Sequence, residues 1–232
     1  MSEYIHHPHR KDTLCRRELR KAETDIGNGE LRIVQFGGFM SGTPRHEREF
    51  RQLCTEIGMP VYYHSAVCVS IENQQHGCYA YRMNAEIIKR FGTDFTDSLV
   101  QAADIRFIQN HLADTLSIYD CTVMAAPENT PDFDRKHFSI SVDNELADIL
   151  SYYETGKPNM IVEFIVNTAG ELSLPAVSKE LPLYNYPKDQ EAALLQLCHA
   201  ALLQTGKWTP SRLGENDVNS RVLIAVFFEP LP

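Results

Sequence analysis

The chain has 232 residues, 43% hydrophobic and 23% charged, with a formal net charge of −9. That length suits one large domain or two small ones, and the composition excludes wholesale disorder. The charge is uneven: Asp94 to Glu154 holds twelve carboxylates against Arg106, Arg135 and Lys136. Such a surface repels phosphate backbones and argues against nucleic-acid binding; its plain reading is a solvated acidic face.

The first residues, "MSEYIHHPHRKDTLCRRELRKAE", hold no apolar core of a signal peptide, and no later run is long enough to span a bilayer, so a soluble chain without a membrane span is expected. Residues 10–25, rich in Arg, Lys, Glu and Leu, predict a mostly exposed helix ended by "DIGNG", an N-terminal arm over residues 1–29. "LRIVQFGGFM" predicts a strand stopped by Gly37-Gly38. In "SGTPRHEREFRQLCTEIG", Thr43 can cap, Pro44 suits the first helical position, and Phe50, Leu53, Cys54 and Ile57 recur at helical spacing before Gly58. "MPVYYHSAVCVSIE" predicts one or two strands, and Met83–Phe91 and Phe95–Leu112 two helices parted by "GTD". Residues 30–127 therefore form a mixed α/β region.

"APENTPDFDRKHFS" and "YETGKPN" carry turn chemistry, so residues 128–156 read as an acidic linker and residues 157–232 as a second domain. There, "NMIVEFIV" and residues 171–178 flank a turn at residues 167–170 as a hairpin. Leu194, Leu195, Cys198, Ala201 and Leu202 define a helix ending at Gly206, and residues 218–228 form a last strand. The fold class expected is α+β, an N-terminal mixed α/β domain followed by a small β-β-α-β domain. Trp208, the one tryptophan, sits where the helix stops ahead of Pro210 and is expected to anchor the core, with no direct function.

The order "IVEFIVNTAGEL", helix, "KWTPSRLGENDVNSRVLIAVFF" resembles the carboxy-terminal domain of the TonB family, through Gly170, Trp208, Pro210, Gly214, Asn216, Val218 and Phe227 or Phe228. No one of these residues is diagnostic; their order and spacing carry the likeness over about a third of the chain. The resemblance implies a non-catalytic module that binds an extended segment of a protein or peptide partner beside an exposed strand. The expected edge is the last strand, with Val218, Asn219, Arg221, Leu223 and Ala225 as contacts. A homodimer is compatible with it. Energy-transducing members carry a membrane helix and a Pro-rich spacer ahead of this domain; here a region of about 100 residues precedes it, which predicts a folded domain rather than a tether. A periplasmic location follows if a signal was removed, a cytoplasmic one otherwise.

Other residues carry side chains suited to chemistry. His6, His7 and His9 cluster at the terminus, where Pro8 restricts how their rings converge. His64, Cys68, Glu72, His76 and Cys78 offer donors for a small α/β enzyme or metal protein, the alternative to a binding module; buried cysteines beside ordinary turn residues are the plainer account. "FGGFMSGTPRHE" joins a glycine turn to a helix start but lacks the spacing of G-x-G-x-x-G and the lysine of a P-loop. The six cysteines include no C-x-x-C pair; their even number permits disulfides without showing any, and the redox compartment stays open. No cofactor and no metal is expected.

Overall fold

The computed structural model describes residues 4, 7–37, 43–65, 74–128, 137–151, 159–179 and 184–231. The chain is α+β and divides into two compact units, Met1–Gln109 and Asn110–Pro232. Among the described residues, no helix is long and apolar enough to cross a membrane.

The first unit contains α1 (Thr13–Gly27), β1 (Ile33–Gly37), α2 (Glu47–Glu56), β2 (Val61–Ser65), α3 (Cys78–Phe91) and most of α4 (Phe95–His111). β1 and β2 pair in parallel, from Ile33↔Val61 to Gly37↔Ser65. Parallel neighbours need a crossover, and α2 supplies it. The core gathers Ala22, Ile33, Phe50, Cys54, Tyr79, Met83 and Ile87.

The N-terminal helix is mostly exposed, as expected, but it is tied into the first unit rather than standing as an arm. Cys15 and Cys78, both fully buried, form a disulfide with Cα atoms 5.2 Å apart, joining the first turns of α1 and α3. Asp12, 0% exposed, caps α1 by accepting from Cys15 N at 2.9 Å, and also accepts from Tyr4 Oη at 2.8 Å and Gln75 N at 2.9 Å. Burial works to raise its pKa, but these hydrogen bonds outweigh it and hold the carboxyl below its ordinary value. Farther along α1, Asp25 accepts from Tyr79 Oη at 2.8 Å.

Two helix starts differ from expectation. α3 begins at Cys78, five residues before the apolar periodicity, because Gly77 adopts the left-handed region at φ 84° and turns the chain into the helix. α2 begins at Glu47 rather than beside Thr43 and Pro44, with Arg45 drawn away into a two-pronged ion pair with Asp104 at 2.7 Å on each prong.

The second unit is built on a mixed sheet. Its strands are β3 (Leu116–Ser117), β5 (His137–Val142), β6 (Asn159–Val166), β7 (Ala176–Val177), β8 (Tyr184–Asn185) and β12 (Ser220–Pro230). β4 (Ala126–Pro127) pairs with β9 (Trp208–Thr209), and β10 (Ser211–Leu213) with β11 (Asn216–Val218). Helix α5 is Asn144–Ser151 and α6 is Glu191–Gln204. Within the expected linker 128–156, residues 137–151 instead form β5 and α5 of the second unit.

β12 alternates along its length, with Val222, Ile224, Val226 and Phe228 buried and the residues between them half-buried. The buried side joins Met160, Val162 and Phe164 of β6 and Leu194, Cys198 and Leu202 of α6 in one core. Trp208 is fully buried there, its Nε1 donating to Thr205 Oγ1 at 2.8 Å and its ring edge-on to Phe164 at 5.4 Å. The turn before it closes through Asn167, whose Oδ1 accepts from Ala169 N and Glu171 N, each at 2.9 Å. The return strand of this hairpin is short: Leu172 bridges Val166, and β7 adds two residues.

Candidate partner-binding edge

The strand expected to be the open edge lies inside the sheet. β12 pairs antiparallel with β6 from Ser220↔Val166 to Phe227↔Asn159. On its other flank it pairs in parallel with β3 at Ser220 and Arg221, and with β5 from Ala225↔His137 to Pro230↔Val142.

Of the expected contact residues, Val218 is buried in β11 opposite Ser211. Asn219 is engaged twice, its carbonyl accepting from Leu116 N at 3.0 Å and its Oδ1 from Thr168 N at 3.2 Å. Arg221 lies between Ile165 and Ser117, and Ala225 between Ile161 and His137. Leu223 pairs with Glu163 and on the opposite flank faces the three-residue break between β3 and β5. That break is too short to receive a strand, so β12 is not the edge. The physical reason is apolarity: the longest and most apolar strand gains most from a neighbour on each side, and the supposed linker provides one.

Among the described residues, β5 carries a flank with no paired strand. Val142 accepts from Leu231 N at 3.0 Å, so its main-chain groups face β12. N–H and C=O of one residue share a flank and alternate along a strand. Ile140 and Phe138 thus also turn toward β12, while Ser139 and Ser141 turn theirs outward. Among the described residues, no strand pairs with this outward flank. Both serine residues are exposed, whereas Ile140 and Val142 are buried in the core and hold the strand in place.

Beside this flank runs a groove of about 510 Å³ between β5 and α6. Its floor is Phe138, Ile140 and the two serines; Leu197, Ala200, Ala201 and Gln204 form the helical wall. These wall residues follow the i, i+3, i+4, i+7 spacing of one helical stripe, next to the Leu194, Cys198, Leu202 stripe that faces the core. A strand flank with outward N–H and C=O groups and an apolar helix alongside is the geometry used to receive extended peptides.

The sequence reading missed β5, although "HFSISV" alternates between apolar and polar residues over its whole length. The prolines and carboxylates just ahead of it masked that signal.

The residues read for other chemistry are dispersed. Cys78 is consumed by the disulfide. His64 lies on β2 opposite Phe36, and Cys68 and Glu72 fall outside the described residues, as does His6. His76 is half-buried. His9 Nδ1 accepts from Lys11 N at 3.3 Å. The glycine turn at residues 38–42 is likewise outside the described residues, and the helix after it opens with Glu47 and Glu49, charges that disfavour an anion. Among the described residues, no group of three or more His, Cys, Asp or Glu side chains is arranged to hold a metal. Burial pushes the Cys54 thiol up to about 11 and the Cys198 thiol to about 12, leaving both in the unreactive form at neutral pH.

Comparisons with protein-family models, with curated proteins and with solved structures find no match for this chain.

Proposed function

We propose that this chain is a non-catalytic interaction protein that takes an extended segment of a protein partner by strand addition, the mode its resemblance to TonB-type domains implies. The receiving flank is β5 rather than β12. One observation carries this: Ser139 and Ser141 present outward main-chain groups beside the β5–α6 groove, with no described strand alongside. Added strands gain affinity from main-chain hydrogen bonds and selectivity from alternate side chains, and both elements are available here.

Replacing Ser139 by proline tests the reading. The substitution removes an outward N–H and sets a ring on the flank, yet leaves the bonds to β12 intact. A strand-displaying peptide library should yield ligands whose binding protects the Ser139 and Ser141 amides from exchange. Ser139→Pro should abolish that binding while the thermal melt stays within a few degrees. Ligands that protect other strands, or bind Ser139→Pro equally well, would refute the assignment.

A further inference from the structure

We infer that the segment received at β5 is short and cationic, with a bulky apolar side chain turned toward α6 and Lys or Arg beside α5. This deepens the strand-addition reading and rests on it.

Length comes first. The wall from Leu197 to Gln204 rises seven helical steps, about 10 Å at 1.5 Å each. Three strand residues at about 3.3 Å each span that distance. Ser139 and Ser141 offer donors and acceptors two residues apart, so one partner residue lies between them with its side chain directed to one face. The wall is lowest at its middle, where Ala200 and Ala201 end at Cβ and leave the groove room for a large apolar side chain.

Charge sets the flanking residues. The second unit carries 17 Asp and Glu against 8 Lys and Arg, whereas the first balances 14 against 14. Part of this excess stands at the end of β5, where the chain turns at once into α5 with Asp143 and Glu145 exposed, Asp143 Oδ1 accepting from Leu146 N at 2.8 Å. A strand running along β5 meets these carboxylates as it leaves the groove. A field of one sign there favours basic segments and rejects acidic ones.

The test uses three fluorescein-labelled nonapeptides with one alternating Thr-Leu core, flanked at both ends by pairs of lysines, serines or glutamates. Each is titrated by anisotropy against the full chain at about 50 mM and about 300 mM salt, where screening differs strongly. The lysine peptide should bind roughly tenfold tighter than the serine peptide, and the glutamate peptide more weakly still. The lysine advantage should shrink at high salt and in Glu145→Lys, and Ala201→Leu should weaken all three by filling the groove. Equal affinities overturn this inference and leave strand addition standing. A lysine peptide that binds Ser139→Pro unchanged also overturns it, because the charge would then act elsewhere. Binding by none of the three removes the strand-addition reading itself. A dimer dissolved by Ser139→Pro would seat a second copy on the flank and exclude the cationic partner.

Discussion

Gly170 and Trp208 meet main chain to main chain: the Gly170 carbonyl accepts the Trp208 N–H at 3.4 Å, and a Cβ on Gly170 would collide with the Trp208 carbonyl oxygen. With φ at 77°, Gly170 also occupies a region that other residues enter at a cost. Gly170→Ala should therefore destabilise by about 2–4 kcal/mol, combining backbone strain with a forced shift of the tryptophan segment. Gly29 has a similar φ of 80° with open space where a Cβ would stand, so Gly29→Ala should cost only about 1 kcal/mol. Urea unfolding of both variants checks the difference; equal losses would mean the close approach contributes nothing.

Trp208→Phe keeps most of the ring packing and loses the donor to Thr205. Thr205 Oγ1 still donates to Leu202 O at 2.6 Å, so no buried hydroxyl is stranded. The expected loss is about 1–3 kcal/mol. As the one tryptophan, the native side chain should emit in the blue and shift red on unfolding, which gives an optical readout of the second unit. A red-shifted native spectrum would contradict its burial.

The Cys15–Cys78 disulfide closes a loop of 63 residues in sequence. Replacing both cysteines by alanine should cost about 2–5 kcal/mol, through the freedom restored to the unfolded chain. Mass spectrometry after alkylation without reductant should find this pair unmodified. Alkylation of both in the oxidised, denatured protein would show that the bond does not form.

Acid should weaken the first unit through two carboxylates. The Asp12 carboxyl lies below its ordinary value because hydrogen bonds to the ionised form outweigh burial; Asp104 is lowered chiefly by its hydrogen bonds from Arg45. A carboxylate lowered on folding contributes stability that is fully present above its unfolded pKa, near 4, and is lost as the pH falls through the folded value. Stability should therefore be flat through neutrality and drop below about pH 4, with a shallower drop in Asp104→Asn. Melts followed from pH 7 to pH 2 test it, and an unchanged slope in the variant would remove Asp104 from the account.

Much of the second unit could be read before its structure was known. Trp208, the α6 core stripe and the alternation of β12 all follow from side-chain size and spacing, because burial imposes a period on each element. Neighbours in a sheet impose no such period. The alternation of Val222, Ile224 and Val226 states which face is buried and is silent about how many flanks are paired, so the strand taken for an edge proved interior. The β5 segment was hidden by charge and proline ahead of it, and its role depends on which strand it joins. The same limit applies to the cysteines: Cys15 and Cys78 are brought together by the packing of two helices, which no spacing rule contains.

The place of β12 also sets the order in which the second unit is completed. Its neighbours come from residues 116–166, yet the strand they share begins at Ser220. Until a nascent chain has released that last strand, β5 and β6 each show a flank of unpaired main-chain groups to whatever lies nearby. Chains interrupted short of Ser220 would keep two such flanks, and the cell would meet them as material for chaperones and proteases.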